Sequence, residues 1–403
     1  MPNEHLGDRI ARLRRMSGQT QDELAEAARV SVDVIRKLEQ KRKHSARLPT
    51  LHSLAAGLGV EVTHLLGDPP ALPRNTDAES PGLVAVRRAI MPPLFGAPPE
   101  PEQSGLLALP TLREQIADAW SSYHTADFNE VMRVLPGLVS AARLLSSGGT
   151  PDQRAAGHGA LAKALQLGGH LSVRLGKTDL ALASLERAVS AAEQASDPLL
   201  TPMMCNSVAW AYQRQNRLGD ATELAVRAAD RVEHTGPTTS EEVRVWGGLL
   251  MSAATSYARS GDYEHANDLM LSAEQAAGRL SRLPAAENGR LVSVFNLSSV
   301  RIERVRLAVQ HERPEDALAL ARRVRLSADT PVSWRTWLLL DIARAHTDLG
   351  NAAEAVKALE TLRRIAPAWM RHHTLAVAIV TDLWAGPARP PGLRKLASFL
   401  GIE

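Results

Sequence analysis

The chain has little from which a covalent or metal-stabilised scaffold could be built. It contains 403 residues but one cysteine, Cys205, which excludes an internal disulfide and any zinc site made of several cysteines. Aromatic residues make up only 4% of the chain. No apolar run approaches the roughly 18 residues that a membrane helix needs, and the N-terminal stretch MPNEHLGDRIARLRR is too charged for a signal peptide. We therefore expect a soluble, cytoplasmic protein without a membrane partner.

The net charge is small and unevenly distributed. The 47 Lys and Arg residues oppose 44 Asp and Glu residues, which leaves +3. Residues 1–66 hold 11 of the basic and 8 of the acidic residues, also +3, so the other 337 residues balance at 36 against 36. The first 66 residues also lack Phe, Tyr and Trp, whereas all seven tryptophans lie at or after Trp120. The sequence therefore predicts two kinds of domain.

Prolines mark the boundary between these domains. Residues 67–110 hold 10 of the 24 prolines, and each proline fixes φ and removes a backbone donor. This composition predicts a linker, with one short helix at 83–90. Beyond it, Ala, Leu and Arg recur at helical spacing, and no segment alternates as a strand would. The predicted fold class is all-α, with an N-terminal domain at 1–66, a linker at 67–110 and a helical domain at 111–403.

Five short helices are predicted in the N-terminal domain, at residues 6–17, 21–28, 32–40, 50–58 and 61–66. Thr20 immediately precedes the second helix, and Glu23 lies three residues after Thr20, which is the spacing of a capping box. Ser31 begins the third helix after a tight turn. Two short helices joined this closely are typical of a helix-turn-helix. The stretches TQDELAEAARVSVDVIRKLEQ and RLPTLHSLAAGLGVEVTHLL closely resemble the Cro and phage-repressor type of helix-turn-helix, the XRE-like family.

This resemblance covers residues 6–66, and the matching residues are in register throughout. Arg29 stands where the family usually has a turn glycine, and Lys41 stands where a glycine commonly follows the recognition helix. The resemblance also implies a buried ion pair between Arg14 and Glu39. The matching residues are Gln21, Leu24, Ala25, Val30, Ser31, Ile35, Leu38, Glu39, Pro49, Leu54, Ala55 and Leu58.

The resemblance implies that the third helix enters the major groove of double-stranded operator DNA. A basic run is usually a solvated surface. Here, however, the segment from Arg29 to Arg47 contains seven basic and two acidic residues and lies inside the recognised motif, which favours DNA binding. The implied base-reading residues are Val32, Asp33, Arg36 and Lys37. The implied phosphate ligands are Gln21, Ser31, Lys41, Arg42, Lys43 and Arg47.

A repeated pattern follows residue 110, in which a turn residue is followed by Ala five and twelve positions later. An earlier copy begins near Trp120. The pattern resembles tetratricopeptide repeats, in which paired helices stack into a solenoid whose first helices line a groove. The copies are 40, 45, 51 and 38 residues apart, longer than the roughly 34 residues of that family. The predicted turns are at positions 176, 216, 261, 312 and 350.

Basic and amide side chains fall on the predicted groove, where they suit a carboxylate or an extended peptide backbone. A small molecule would instead use a pocket closed by Trp210, Trp337 and Met251. The alternative is that these side chains are solvated or paired with acidic residues of the same solenoid. The predicted effector contacts are Gln166, His170, Arg174, Asn206, Trp210, Gln213, Arg214, Met251, Arg259, Arg306, Trp337 and Arg344, and Lys163 and Met203 lie on the same predicted face.

The leading prediction is a bacterial transcriptional regulator that acts as a homodimer. Its resemblance to peptide-responsive quorum-sensing regulators implies that a signalling peptide or small molecule in the repeats modulates operator binding. The alternative is a protein-interaction module whose repeats bind a partner protein, with DNA binding serving recruitment. We expect no enzyme activity, cofactor or metal. The stretch GHGALA lacks a preceding strand, and adjacent His372 and His373 diverge by about 100° on a helix.

Overall fold

The computed structural model describes residues 5–43, 46, 48–60, 62, 65, 80–93, 108–233, 239–284, 294–326, 330–371 and 373–402. Over these residues the chain forms helices and no strand, which confirms the all-α prediction. None of the described helices is long and apolar enough to cross a membrane. The chain divides into two compact units, a first unit of residues 1–74, 258–263 and 301–403 and a second unit of residues 75–257 and 264–300.

The N-terminal segment contains four described helices, α1 (Leu6–Met16), α2 (Gln21–Ala27), α3 (Val32–Glu39) and α4 (Leu48–Gly57). Their apolar faces meet in one core, in which Ile10, Leu24, Ile35, Leu38 and Leu54 are fully buried. The predicted fifth helix, at 61–66, lies outside the described residues except for positions 62 and 65. The predicted helix at 50–58 begins two residues earlier, at Leu48.

Local hydrogen bonds and two unusual backbone conformations set the turns between these helices. The capping box predicted at α2 is present, because Glu23 N donates to Thr20 Oγ1 at 3.2 Å and Thr20 N donates to the Glu23 carboxylate at 2.6 Å. Arg29 and Lys41 have φ angles of 51° and 58°. The two positions where glycine is usual therefore keep the left-handed conformation with a side chain present.

Sixteen further α-helices, and one short 3₁₀ helix at Leu280–Arg282, are described after residue 80. The first of them, α5, is the short helix predicted within the linker. Arg143 donates to the carbonyls of Ala89 and Ile90 at its end, and Ile90 is fully buried, so α5 packs onto the repeats. The helices are α5 (Pro81–Ile90), α6 (Leu109–His124), α7 (Phe128–Ser147), α8 (Pro151–Arg174), α9 (Thr178–Glu193), α10 (Leu200–Arg214), α11 (Leu218–Glu233), α12 (Ser240–Arg259), α13 (Tyr263–Arg279), α14 (Leu297–Gln310), α15 (Pro314–Ala321), α16 (Val332–Asp348), α17 (Ala352–Ile365), α18 (Pro367–Arg371), α19 (Thr374–Ala385) and α20 (Leu393–Leu400).

Six pairs of consecutive helices, from α6–α7 to α16–α17, are joined by the same short turn. One residue of each turn has positive φ, and the five predicted turn positions all fall on such residues. In five of the turns, the residue that follows the positive-φ residue donates its backbone N–H to the carbonyl of the residue five positions before it. Lys177 N donates in this way to Ser172 O at 2.8 Å, and Arg217 N donates to Tyr212 O at 2.9 Å. This bond closes the end of the first helix. The positive-φ residues are Ala126, Gly176, Asn216, Gly261, Glu312 and Gly350.

Small residues follow each turn at the predicted spacing and are buried between helices. Ala181 and Ala188 are fully buried after Gly176, and Ala221 is fully buried after Asn216. Small side chains at these positions let two helix backbones approach closely. We call α6, α8, α10, α12, α14, α16 and α19 the first helices. All twelve predicted effector contacts lie on them.

Candidate functional site

Helix α3 is held by its apolar face and presents its polar face outward. Ile35 and Leu38 are fully buried, whereas Asp33, Arg36 and Lys37 are exposed. Val32, at the start of the helix, is half-buried. Lys37 Nζ lies 2.6 Å from Asp33 Oδ2, one helical turn away, in an exposed ion pair. Three of the four predicted base readers, Asp33, Arg36 and Lys37, are therefore exposed, whereas Val32 packs partly against the core.

The predicted phosphate ligands described next to α3 differ in whether they already have a partner within the chain. Ser31 is exposed at the N-cap of α3, and its hydroxyl makes no capping hydrogen bond. Lys41, Arg42 and Lys43 are exposed after α3, and Lys41 Nζ lies 2.9 Å from Asp8 Oδ2. Arg47 lies outside the described residues.

A half-buried polar network ties α3 to the two helices before it. Arg14 Nε lies 2.8 Å from Glu39 Oε1, which confirms the predicted ion pair, and Arg14 Nη2 donates to Glu39 Oε2 at 3.1 Å. Gln21 Nε2 donates to the same Oε2 at 2.7 Å. Burial favours the neutral form of Glu39, but the bonds from Arg14 and Gln21 outweigh it and hold the pKa of Glu39 below its ordinary value. Gln21 thus helps to orient α3 as well as lying at the start of α2.

The arrangement of α2, the tight turn and α3 agrees with a family comparison. A family model described as a helix-turn-helix domain matches residues 5–66. The N-terminal segment is a helix-turn-helix domain. The exposed polar face of α3 belongs to the second helix of this motif, and the Arg14–Glu39–Gln21 network joins α1, α2 and α3 beside it.

No curated protein matches the chain in sequence. Among solved structures, BtubC (BKLC) from P. vanneervenii is similar with 18% identity over 69% of this chain and 95% of that chain, at a TM-score of 0.39. PlcR from Bacillus thuringiensis, in complex with the peptide PapR7 and DNA, is similar with 14% identity over 87% of this chain and 99% of that chain, at a TM-score of 0.38.

Outside the helix-turn-helix domain, the second unit brings several predicted effector contacts together on α8 and α10. Gln166 Nε2 donates to Ser207 Oγ at 2.8 Å, and Ser207 Oγ lies 3.0 Å from His170 Nε2. The His170 ring stacks on Trp210, with 4.6 Å between ring centroids. Burial lowers the pKa of His170 to about 3, and the charge of Arg174 acts in the same direction, so this imidazole is neutral. Ser207, which the sequence did not single out, is the shared partner.

Helix α6 adds two aromatic rings to the same cluster. Trp120 meets the His170 ring edge to face, with 5.1 Å between centroids, and Arg174 Nε donates to the Tyr123 hydroxyl at 3.1 Å. The Arg174 guanidinium carbon also lies 5.6 Å from the Trp210 ring centroid. Trp120 Nε1 is buried without a hydrogen-bond partner among the described residues. In the sequence, Trp120 indicated only the start of a repeat, although Trp120 and Tyr123 both lie beside predicted contacts.

Lys163 is a buried amine at the other end of the α8 face. It is only 9% exposed, and its Nζ lies 3.5 Å from Gln166 Oε1 and 3.9 Å from Met203 Sδ. Burial lowers the pKa of Lys163 to about 7, against the opposing charge of Asp197. The cluster of α6, α8 and α10 therefore combines neutral donors and acceptors, stacked rings and cationic side chains.

The remaining predicted contacts of the second unit have different roles. Gln213 is buried, and its Nε2 donates to Ser252 O and to Ser256 Oγ, each at 2.9 Å, so it joins α10 to α12. Asn206 is half-buried and Arg214 is exposed, whereas Met251 is buried. These predicted contacts therefore do not share one open face, because some lie on the surface, some lie in the core and one joins two helices.

In the first unit, two predicted contacts form ion pairs within the chain. Arg306 Nη1 lies 3.1 Å from Glu303 Oε2, and Arg306 Nε lies 3.4 Å from Asp341 Oδ2. The Arg306 guanidinium carbon is also 4.5 Å from the ring centroid of Trp337, a half-buried residue of the predicted set. Burial raises the pKa of Asp341 to about 7 because it outweighs the attraction of Arg306, and Glu303 acts in the same direction.

Arg344 bridges two carboxylates of the first unit. Its Nη2 lies 2.6 Å from Asp348 Oδ1, and its Nη1 lies 2.8 Å from Asp382 Oδ2 on α19. Arg306 and Arg344 thus follow the alternative in which groove residues pair with acidic residues of the solenoid. Arg259 Nη2 lies 3.4 Å from His52 Nδ1 in the same unit. Over the described ranges, no group of three or more His, Cys, Asp or Glu side chains could hold a metal ion.

Proposed function

We propose that the protein is a sequence-specific transcriptional regulator, not an enzyme, that binds double-stranded operator DNA through α3. The observation that supports this function is the two-sided character of α3 within a helix-turn-helix domain. Ile35 and Leu38 fix the helix in the core, and Asp33, Arg36 and Lys37 remain exposed. In the major groove, Arg36 would donate two bonds to guanine and Asp33 would accept from cytosine, each worth about 1–3 kcal/mol of discrimination.

Contacts to the DNA backbone would come from the two ends of α3. The exposed Ser31 hydroxyl lies beside the first amides of the helix, which attract a phosphate. Lys41, Arg42 and Lys43 follow the last turn and are exposed. Phosphate contacts of this kind set the register of the protein on the duplex and make binding dependent on salt.

The regulatory part of this function is the modulation of operator binding by a ligand in the repeats. The cluster around His170 supports it, because rings from α6, α8 and α10 lie beside the buried and unpartnered Trp120 Nε1 donor. A signalling peptide or a small molecule with a hydrogen-bond acceptor would suit these groups. In a homodimer, such a ligand would act by changing the spacing of the two α3 helices, which is about 34–36 Å for adjacent half-sites.

The test of DNA binding starts from duplexes that the purified full chain selects out of a random pool. We expect Arg36→Glu/Lys37→Glu to weaken binding to the selected duplex about a hundredfold or more, and to make its salt dependence shallower. The matched control is Arg227→Glu/Lys357→Glu, which makes the same charge change at exposed residues of α11 and α17. Equal binding by both variants, or no selected sequence at all, would contradict the function.

The ligand hypothesis has a separate test. Culture extract from the source organism should change the affinity of the wild-type chain for the selected duplex, measured by fluorescence anisotropy. His170→Ala/Trp210→Ala should lose this response and keep the affinity measured without extract. Capture of a partner protein by the repeats, without selection of any duplex, would instead support the protein-interaction module.

A further inference from the structure

The last part of the chain carries a basic excess that the even balance of residues 67–403 conceals. Residues 363–403 contain six basic and two acidic residues. Of the two acids, Asp382 is paired with Arg344, and Glu403 lies outside the described residues. Within the described part of the chain, none of the six basic side chains forms an ion pair. These residues are Arg363, Arg364, Arg371, Arg389, Arg394 and Lys395.

Two of these guanidinium groups share one aromatic ring. The guanidinium carbon of Arg371, the last residue of α18, lies 4.6 Å from the ring centroid of Phe399 on α20. That of Arg363, on α17, lies 5.8 Å from the same centroid. Lys395 is exposed one helical turn before Phe399, on the same side of α20. Stacking on a ring restricts each guanidinium and leaves its N–H edge available for hydrogen bonds.

No carboxylate among the described residues forms an ion pair with this cluster. Glu360 belongs to α17, but its carboxylate lies against Gly392 at the start of α20 and pairs with none of the basic side chains. Arg363 Nε is buried and has no hydrogen-bond partner among the described residues. By contrast, an exposed basic residue on α11 does pair, since Arg227 Nη2 lies 2.6 Å from Glu223 Oε1. An anion would relieve the mutual repulsion of the uncompensated charges.

We propose that Arg363, Arg364, Arg371 and Lys395 form a second DNA-contacting surface, which binds phosphates of a duplex without reading its sequence. We call it the Phe399 basic cluster. Guanidinium forks match phosphate oxygens, and a polyanion engages several of them at once. The inference rests on the proposed function in one respect. The helix-turn-helix domain would hold the duplex on the same chain and so raise its effective concentration at the cluster.

The test measures binding of the full chain to a long fluorescein-labelled duplex of random sequence over a range of salt concentrations. Arg364→Gln/Arg371→Gln/Lys395→Gln removes three charges from exposed positions. We expect affinity at low salt to fall about tenfold or more, and the slope of log affinity against log salt to become shallower by about 2 to 3. Arg133→Gln/Arg227→Gln/Lys357→Gln removes the same charge from paired surface sites and should change neither quantity.

The same measurement in the Arg36→Glu/Lys37→Glu background separates this inference from the proposed function. Residual salt-dependent binding that the cluster variant abolishes supports the Phe399 basic cluster even if no operator exists. An identical slope for the cluster variant and its control overturns the inference and leaves operator binding intact. Tighter binding of an RNA duplex or of anionic vesicles than of DNA also overturns it. Thermal unfolding followed by circular dichroism should be the same for the two triple variants.

Discussion

In the second unit, first helices are joined by neutral hydrogen bonds and stacked rings, whereas in the first unit they are joined by buried ion pairs. Gln166 and His170 meet Ser207, and Gln213 meets Ser252 and Ser256. In the first unit, the corresponding links join Arg306 to Asp341 and Arg344 to Asp382. The same helical repeat therefore uses two different kinds of link between its neighbours.

This difference predicts different responses to the loss of one partner and to pH. A neutral hydrogen bond contributes about 1 kcal/mol and leaves no charge when it is broken. A broken buried ion pair leaves a charge in a poorly solvated place, which costs about 3–5 kcal/mol. The two units also hold titrating groups of opposite kind, since Lys163 lies in the second unit and Asp341 in the first.

The largest expected effect is the loss of the Arg344 bridge. Arg344→Met should reduce the free energy of unfolding by about 3–5 kcal/mol, because two carboxylates that are each only 14% exposed, those of Asp348 and Asp382, lose the guanidinium between them. Urea unfolding followed by circular dichroism and tryptophan fluorescence measures it. Gln213→Ala in the second unit should cost only about 1–2 kcal/mol. Similar losses for the two variants would remove the distinction between the units.

The buried amine of the second unit should oppose stability near neutral pH. The folded-state pKa of Lys163 is about 7 and its ordinary value is 10.5, so the penalty is complete below pH 7 and disappears as pH rises to about 10. Lys163→Met should therefore stabilise the chain at pH 7 by on the order of 3 kcal/mol. It should also abolish the rise in stability between pH 7 and 10, measured by urea unfolding at several pH values. A variant that is destabilised at pH 7 would show that the ammonium is well compensated.

The buried acid of the first unit should produce the opposite slope. Asp341 has a folded-state pKa of about 7 and an ordinary value of 3.8, so the folded state binds the extra proton and stability falls as pH rises from about 4 to 7. Asp341→Asn keeps the shape without the charge and should flatten this fall. Above pH 7, Asp341→Asn should raise the free energy of unfolding by about 1–2 kcal/mol, because the loss of the ion pair with Arg306 offsets part of the gain. An unchanged slope in the same series of urea titrations would contradict the assignment.

The smallest expected effect concerns the turn that both units share. Glu312 has a φ of 56°, where a side chain costs about 1 kcal/mol and glycine costs nothing. Because glycine loses more backbone entropy on folding, Glu312→Gly should raise the free energy of unfolding by only about 0.5 kcal/mol. Gly350→Ala, at a φ of 76°, should destabilise by about 1 kcal/mol. Thermal unfolding temperatures of the two variants should therefore move in opposite directions.

The sequence was sufficient for features that depend on residues close together in the chain. The Thr20–Glu23 capping box and the turns at Asn216 and Glu312 were all predicted, because their hydrogen bonds join residues three to five positions apart. The ion pair of Arg14 and Glu39 was predicted by family resemblance, although these residues are 25 positions apart.

Contacts between stacked helices were harder to predict, because they depend on how each helix is rotated against the next. Arg344 and Asp382 are 38 positions apart, and no local pattern connects them. The burial of Lys163 and the role of Ser207 also follow from stacking. The basic excess after residue 362 was visible in composition, but a balance over 337 residues averaged it away.

The turn that joins each pair of helices has a consequence for how the chain folds. Its closing hydrogen bond joins residues five apart, as from Asn351 N to His346 O at 2.8 Å, so two helices come together with little loss of chain entropy. Chains dominated by such short-range contacts fold quickly. Each pair is therefore a separate starting point, and folding of the repeats can spread outward from several places along the chain at once.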